Sequence, residues 1–483
     1  MTAAYIAFHA AERPDAVALI NNGREITYTE FSRDIRKFTR ALRDFRLPLG
    51  AKVAVACGDI YFHWLLLLAS ERLGIATASF ESGDGWGRGP LLANMDLVLS
   101  EPHFPIEGAR RRHPVSQQWL QGVLALPDED EELPLATMPS DSVRILRTSG
   151  TTGTPKTMLV SRAAQEVRVR RYAFQYQFTR ESRYLLTMGF TIGHIYGCAT
   201  ACVQFGGTVI SHRATRNAEI AQTAAAHAVT HITLLPLHLN RILDDLPKDF
   251  AKPVNLMVGS FGAAISQALR ERTIARLATE LCSDYGCNEA GIICLAPSSR
   301  DDQFGSVWPR VRVEVVDDRD QPLPRGHVGR IRVKTECMVD GYLDNPEATA
   351  RMFRDGWFYP GDLGVLDGPR RLHVLGRGDE LLNIGGQKIS PSFMEHLILG
   401  LTEVNDVGIC SVQNADGIEE LCVAVSGVRA SDQELLDCIT HAFRAFQFGK
   451  FYVTKLDRIP RNANGKIQRN ALKDAAAALI RRR

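Results

Sequence analysis

Arg147 to Lys156 reads RTSGTTGTPK and is the most informative stretch of the sequence. Its glycines permit unusual backbone dihedrals and close approach of a ligand to the backbone. Hydroxyl side chains, clustered amides and a closing lysine are the parts of a phosphate cradle, although the Gly-Lys-Ser/Thr of a Walker A loop is missing. A polar loop without a ligand is the other interpretation of this stretch. The predicted phosphate-binding residues are Thr148, Ser149, Gly150, Thr151, Thr152, Gly153 and Lys156.

The composition is that of a folded protein with more than one lobe. The chain has 483 residues, of which 45% are hydrophobic and 23% charged, and its formal charge is +2. This length exceeds one ordinary core, and the near-neutral charge lacks the basic footprint of nucleic-acid binding. Ten cysteines without a Cys-x-x-Cys pair favour reduced, buried thiols. With no secretion signal at Met1–Ala11 and no apolar run of membrane-spanning length, we expect a cytoplasmic protein.

The apolar pattern predicts an α/β body. Lys52–Cys57 is typical of a buried strand, and Ile60–Leu73 of a helix that stops at Gly74. This rhythm returns later in the chain and indicates βαβ units with a mainly parallel sheet. Further strands are predicted at Gln204–Ile210, His231–Leu235 and Asn255–Val258, with a helix over Asn217–His227.

The pattern changes twice after these units. Val311–Lys334 contains two alternating segments around a turn-rich centre, which predicts a hairpin. Beyond Gly376, apolar runs and one helical stretch, Ser431–Ala445, indicate a small α+β domain. The acidic run Asp128–Glu132 is predicted to be a solvated loop between lobes.

The glycine-threonine loop resembles the signature of the adenylate-forming superfamily, the AMP-dependent synthetases and ligases. Its members include acyl- and aryl-CoA synthetases, peptide-synthetase adenylation domains and firefly luciferase. Thr157 stands where the family usually has glycine. The resemblance implies a large N-terminal body of two βαβ lobes and a small distorted barrel, followed by a small mobile α+β domain. We therefore expect domains at residues 1–378 and 379–483.

Two central segments extend the resemblance. Residues 284–291 read DYGCNEAG, which implies that Tyr285 lies near the adenine and Glu289 helps to hold Mg²⁺. Asn288 replaces the usual threonine, and its amide can still donate to a phosphate oxygen. Residues 259–266 read GSFGAAIS and resemble the turn that lines the adenine and substrate pockets, which assigns Gly262 and Ala263 to the nucleotide.

Two later segments carry the ribose contacts and the hinge. In GWFYPGDLG, residues 356–364, the resemblance implies that Asp362 accepts hydrogen bonds from the ribose hydroxyls, although Pro360 replaces a threonine. In GRGDE, residues 376–380, it implies that Arg377 contacts ribose or phosphate and that Asp379 is the hinge. In the loop that follows, Phe393 stands where the family has glutamate.

The last segment contains the other predicted catalytic residue, in addition to Glu289. Residues 460–469 read PRNANGKIQR and resemble the family's closing motif, in which the lysine, here Lys466, enters the active site during adenylation. A mobile ammonium suits this chemistry because carboxylate attack on a phosphate brings two anions together.

The substrate pocket is predicted from FTIGHIYG, residues 190–197, which resembles one wall of the family's acid pocket. Amino-acid-activating members place an aspartate near this position, whereas this chain has Gly193 and His194. We therefore predict an acid without an α-amino group. The predicted pocket residues are Phe190, His194, Leu235 and Phe261.

The predicted function is ATP- and Mg²⁺-dependent activation of a small carboxylic acid to acyl-AMP, followed by transfer to a thiol, most simply that of CoA. Alternatives are transfer to the phosphopantetheine arm of a separate acyl carrier protein, a luciferase-like oxygenase, and a non-catalytic binding relative. The residues leave open whether the acid is short-chain, fatty or aryl.

Overall fold

The computed structural model describes most of the chain, in several stretches. Among the predicted site residues, Ser149, Gly150, Thr151, Thr152, Gly153 and Asp379 lie outside the described residues. The described residues are 2–81, 90–129, 138, 140–148, 156–212, 217–265, 267–296, 305–378, 382–384, 387–401, 404–413, 419–443, 451–462 and 465–480.

Helices and strands alternate through the first two-thirds of the chain. The helices are α1 (Thr2–Glu12), α2 (Tyr28–Arg43), α3 (Ile60–Arg72), α4 (Gln117–Leu124), α5 (Arg162–Gln175), α6 (Gly193–Gln204), α7 (Asn217–Ala226), α8 (Pro236–Asp245), α9 (Gln267–Arg276), α10 (Pro346–Met352), α11 (Pro391–Leu401), α12 (Asp432–Phe443) and α13 (Arg469–Ile480). The strands are β1 (Val17–Asn21), β2 (Arg24–Thr27), β3 (Lys52–Ala56), β4 (Ala76–Ser79), β5 (Leu97–Ser100), β6 (Arg112–Pro114), β7 (Ser142–Arg147), β8 (Thr157–Ser161), β9 (Arg183–Leu186), β10 (Thr208–Ser211), β11 (His231–Leu234), β12 (Met257–Ser260), β13 (Glu280–Cys287), β14 (Gly291–Leu295), β15 (Gly305–Val307), β16 (Arg312–Val316), β17 (Gly329–Lys334), β18 (Phe353–Arg354), β19 (Trp357–Phe358), β20 (Asp362–Gly368), β21 (Arg371–Arg377), β22 (Leu382–Ile384), β23 (Gln387–Ile389), β24 (Asp406–Gln413), β25 (Glu419–Ser426) and β26 (Phe451–Lys455).

Two sheets organise the body that carries the site. One has the order β6-β5-β3-β4-β7-β8 and is parallel except for the final β7–β8 pair. A second parallel sheet, β10-β9-β11-β12-β13, continues through β13 into the antiparallel strands β14, β15, β21, β20 and β17. Ligands bind outside the carboxyl ends of parallel strands. β13 is therefore well placed to carry site residues, because it joins the parallel and antiparallel parts.

The predicted α/β fold class is confirmed, and several elements match closely. The strand β3 and the helix α3 agree with prediction, and Gly74 after α3 has the left-handed φ of +66° that favours glycine. The predicted hairpin is the antiparallel pair β16–β17. The cysteines are free and mostly buried. Within the described ranges, no helix combines the length and apolar character that crossing a membrane requires.

One detail of the prediction was wrong. The strand expected at Gln204–Ile210 starts only at Thr208, because α6 extends to Gln204 and Gly206 then turns the chain with a φ of +82°. Asp128 and Glu129 of the acidic run are exposed, as predicted, and they accept surface hydrogen bonds from Arg36 and Arg40 of α2. Residues 130–132 of that run lie outside the described residues.

The C-terminal part forms a small α+β unit with its own core. The sheet β24-β25-β26 is covered by helices, and Ile398, Ile409, Val423 and Ile439 are completely buried within it. Glu395 of α11 is buried, accepts hydrogen bonds from Arg469 at the start of α13 and also accepts the Ile409 amide. This network ties two helices to the sheet. The domain boundary at residue 378 and the mobility of this unit stay predictions.

Candidate active site

Lys156 and Glu289 are brought together by a residue that the sequence did not single out. The Tyr342 hydroxyl donates a 2.8 Å hydrogen bond to Glu289 Oε1, and the Lys156 ammonium lies 4.9 Å from the centre of the same ring. Glu289 and Tyr342 are both buried, 7% exposed. Among the described residues, nothing donates to the second oxygen of Glu289, which leaves it available to a metal ion.

The segment that contains Tyr342 is anchored at both sides of this arrangement. The Val339 amide donates to the carbonyl of Glu289 at 2.9 Å, and the Leu343 amide donates to the carbonyl of Thr157 at 2.7 Å. Thr157, which stands where the family usually has glycine, thus connects the exit of the predicted phosphate loop to the segment that contains Tyr342. Sequence reasoning could not find Tyr342, because it is 53 positions from Glu289 along the chain.

Two hydrogen bonds join the residues at either end of the predicted phosphate loop. The Thr148 amide donates to the Lys156 carbonyl at 2.8 Å, and the Lys156 amide donates to the Thr148 hydroxyl at 3.2 Å. The Asn288 side chain, expected to face a phosphate, donates instead to the Arg147 carbonyl at 2.8 Å. Asn288 therefore fastens the β13–β14 turn to the strand that leads into the loop.

A second group is formed around Tyr285 of β13, at the predicted ribose position. The Tyr285 hydroxyl donates to Asp362 Oδ2 at 2.5 Å, and Arg377 Nη1 lies 3.8 Å from Asp362 Oδ1. Burial and the neighbouring Asp362 carboxylate raise the pKa of Tyr285 well above its usual range. The β20–β21 register pairs Asp362 directly with Arg377, which explains why these two distant residues meet.

The predicted acid pocket contains a tightly packed aromatic wall. His194 stacks on Phe261 with ring centres 4.0 Å apart and planes 5° apart, and its Nε2 is hydrogen-bonded to the Tyr176 hydroxyl at 3.0 Å. Burial lowers the pKa of His194 to about 3, so the imidazole is neutral at physiological pH. Gly262 has a φ of +81°, and a β-carbon there would lie 2.9 Å from Leu235.

The remaining predicted pocket residues lie in different surroundings. Phe190 is 1% exposed and packs on Trp64 with ring centres 5.2 Å apart, inside the main hydrophobic core. Ala263 is exposed beside Gly262. The structure thus brings His194, Phe261, Leu235 and Gly262 together, whereas the ring of Phe190 packs on Trp64 and Tyr196 in the same core.

The turn that carries Lys466 is held by hydrogen bonds and lies against α8 of the N-terminal part of the chain. Gly465 has a φ of +74°, and a β-carbon there would lie 3.6 Å from Leu237 of α8, two residues after Leu235. Arg461 donates to both oxygens of Asp406, and the Lys466 amide donates to Asn462 Oδ1 at 3.0 Å. No described residue forms an ion pair with the Lys466 ammonium.

The donor set suits a metal ion that is shared with a substrate. In the part of the chain that the structure describes, no three His, Cys, Asp or Glu side chains are grouped closely enough to hold a metal ion. Mg²⁺ typically rests on one or two carboxylates and on substrate phosphates. Glu289, with one oxygen held and one available, fits that role.

Comparisons with known proteins show what the whole chain is similar to. The family model described as AMP-binding enzyme matches residues 98–343. A fatty acid–[acyl-carrier-protein] ligase, ScoC, from Streptomyces coeruleorubidus is 26% identical over 97% of this chain and 95% of its own length. A 2-succinylbenzoate–CoA ligase from Bacillus licheniformis is 25% identical over 95% of this chain and 97% of its own length. The crystal structure of ATP-bound MatB from Rhodopseudomonas palustris has a TM-score of 0.85 at 23% identity, covering 99% of this chain and all of the other.

Proposed function

This chain belongs to the AMP-binding enzyme family, and from that premise we propose that it activates a carboxylic acid with ATP and transfers the acyl group to a thiol. In the first step a carboxylate oxygen of the acid attacks the α-phosphorus of ATP, and pyrophosphate leaves. In the second step a thiol sulfur attacks the acyl carbon, and AMP leaves. The observation that carries this proposal is the joining of Lys156, Tyr342 and Glu289 at the exit of the predicted phosphate loop.

The first step needs positive charge at the phosphates. Lys156 is placed to neutralise phosphate oxygens, and Mg²⁺ bound at Glu289 would supply further charge compensation. We assign Asp362 to the ribose hydroxyls, because one ionised carboxylate can accept hydrogen bonds from both. Tyr285 and Arg377 hold that carboxylate in place through the contacts described above.

Lys466 is proposed as the cation that accompanies the entering carboxylate. Its turn packs against α8, directly after the predicted pocket residue Leu235. The second step requires this lysine to leave so that the thiol can enter. We propose that residues 379–483 turn as a unit about Asp379, which would exclude water from the acyl-AMP in each step.

The acid is proposed to lack an α-amino group. The wall formed by His194 and Phe261 is aromatic, and the buried imidazole is neutral, so neither side chain supplies a negative charge to pair with an ammonium next to the reacting carboxylate. CoA is the simplest acceptor. The likeness to the fatty acid–[acyl-carrier-protein] ligase of S. coeruleorubidus keeps a phosphopantetheine arm of a separate carrier protein as the second candidate. The cytoplasmic setting stays a prediction from the sequence.

Acid-dependent exchange of pyrophosphate into ATP tests the first step. A panel of short-chain, fatty and aryl acids should show exchange with at least one acid, and no exchange with any of them would leave a non-catalytic binding protein as the better interpretation. Release of AMP that depends on CoA, on a holo-carrier protein or on O₂ then separates the two thiol acceptors from luciferase-like chemistry.

A further inference from the structure

Asp284 is a carboxylate in the site region that the proposed chemistry does not use. It directly precedes Tyr285 in β13 and follows Ser283, which is paired with Ser260 of the parallel strand β12. Phe261 follows Ser260 in the same way. Asp284 and Phe261 therefore lie side by side at the carboxyl ends of two adjacent parallel strands, where α/β proteins bind ligands.

The helix α5 covers this position with polar and aromatic side chains. Gln175 Nε2 donates to Asp284 Oδ2 at 3.0 Å. Tyr176 lies one residue further along, fills the space above Gly259 of β12 and is hydrogen-bonded to His194. Asp284 is thus connected through neighbouring side chains to the aromatic wall of the predicted acid pocket.

This small cluster has more acceptors than donors. A carboxylate can only accept hydrogen bonds, so the nitrogen of the Gln175 amide must face Asp284. The Gln175 Oε1 atom then points away from Asp284. Gln175 is 8% exposed, and its Oε1 is buried without a donor among the described residues. Asp284 forms no ion pair with any described residue, and burial raises its pKa to about 6.

Buried acceptors of this kind are costly unless a donor completes them. We propose that Asp284 and Gln175 bind a hydrogen-bond donor, a hydroxyl or an amino group, on the part of the acid remote from its reacting carboxylate. Asp284 is then a specificity-determining residue. The inference rests on the proposed function and narrows its substrate class. A purely hydrocarbon acid would leave Gln175 Oε1 without a donor among the described residues and would add no donor to the Asp284 carboxylate.

Matched sets of acids test this directly. One set has the benzoate skeleton with a methyl, hydroxyl or amino group at the 3- or 4-position, and the other has a pentanoate chain ending in methyl, hydroxyl or amino. Both pyrophosphate exchange and equilibrium binding in the presence of ATP are measured. In at least one set, the kcat/KM of the hydroxyl-substituted or amino-substituted member should exceed that of the methyl-substituted member by about 10- to 100-fold. The reason is that a substrate without a donor leaves a buried acceptor unpaired.

Variants of Asp284 and Gln175 distinguish the contributions of the two acceptors and the response to hydroxyl and amino donors. Asp284→Leu should reverse the preference towards the methyl acid, and Gln175→Leu should weaken it. Asp284→Asn keeps an acceptor but removes the charge, so it should reduce the use of an ammonium-bearing acid more than that of a hydroxyl-bearing one. Asp34→Asn is the matched control, because Asp34 is a buried carboxylate that accepts the Tyr61 hydroxyl away from the site.

The outcomes distinguish this inference from the proposed function. Robust exchange with a preference for methyl acids in every set would overturn the acceptor site and leave the ligase function standing. Absence of exchange with any acid would overturn the function, and the binding measurements would still decide whether donors are preferred. The wild-type panel is sufficient if Asp284→Leu fails to fold.

Discussion

Replacing Asp284 with asparagine should stabilise the protein, and more so at high pH. Burial raises the pKa of this carboxyl from 3.8 to about 6, so the folded state disfavours the ionised form. The resulting cost is absent below pH 3.8, grows as the pH rises towards 6 and is constant above it. From the two pKa values, the cost is about 3 kcal/mol at pH 8 and about half of that at pH 5.

Asparagine resembles the protonated carboxyl and can still accept the hydrogen bond from Gln175. The free energy of unfolding, measured by urea denaturation, should therefore rise on substitution by about 1.5 kcal/mol more at pH 8 than at pH 5. Comparing the two pH values removes any effect of the substitution that does not depend on pH. If Asp284→Asn is more stable but less selective among acids, the carboxylate lowers stability in the wild-type protein and contributes to function.

The matched control is Asp318→Asn, whose side chain is fully exposed in the loop after β16. It should change stability by less than about 0.5 kcal/mol at either pH. The reasoning is refuted if Asp284→Asn has the same effect at pH 5 and pH 8, or if it destabilises the protein more at pH 8. Either result would mean that the carboxylate is compensated in the folded state by a group not identified above.

Three further predictions concern the proposed site and its support. Lys466→Ala should lower pyrophosphate exchange by about 10²- to 10³-fold while ATP binding, measured by calorimetry, stays within a few-fold; unchanged exchange would remove this lysine from the mechanism. Tyr342→Phe keeps the ring beside Lys156 but loses the hydroxyl that holds Glu289, the proposed metal ligand, so the Mg²⁺ concentration for half-maximal exchange should rise about tenfold. Its control, Tyr359→Phe, loses a hydroxyl on the antiparallel sheet and should leave the Mg²⁺ requirement as it is. Arg469→Met should destabilise the C-terminal unit by about 3–5 kcal/mol in a urea melt, because it leaves Glu395 buried without its cation; a loss below about 1 kcal/mol would contradict that account.

Local pattern was sufficient where one element determines its own structure. The helix α3 has a capping aspartate, Asp59, an apolar run and a glycine stop, and it was predicted almost to the residue. The β16–β17 hairpin is equally local, because alternation and turn residues lie within one short window. The strand expected from Gln204 was wrong because an apolar run does not by itself distinguish the end of a buried helix from a strand.

Site residues were predictable only where a motif marks them. Glu289, Asp362 and Lys466 stand in segments with recognisable spacing. Tyr342 lies outside these segments, and Asp284 begins one of them without a role that the motif assigns. Each contacts a partner far along the chain, Glu289 for Tyr342 and Gln175 for Asp284. A single sequence has no signal for such pairs.

By itself the sequence determined the family resemblance, the α/β class and the motifs that point to phosphate, ribose and acid chemistry. These follow from residue type, periodicity and spacing, which are properties of the chain before it folds. Only the tertiary structure decided that Tyr342 joins Lys156 to Glu289, and that Asp284 lies beside Phe261 and accepts a hydrogen bond from Gln175. The physical reason is that burial and hydrogen-bond partners depend on which strands are neighbours, and strand order is set by packing of the whole sheet.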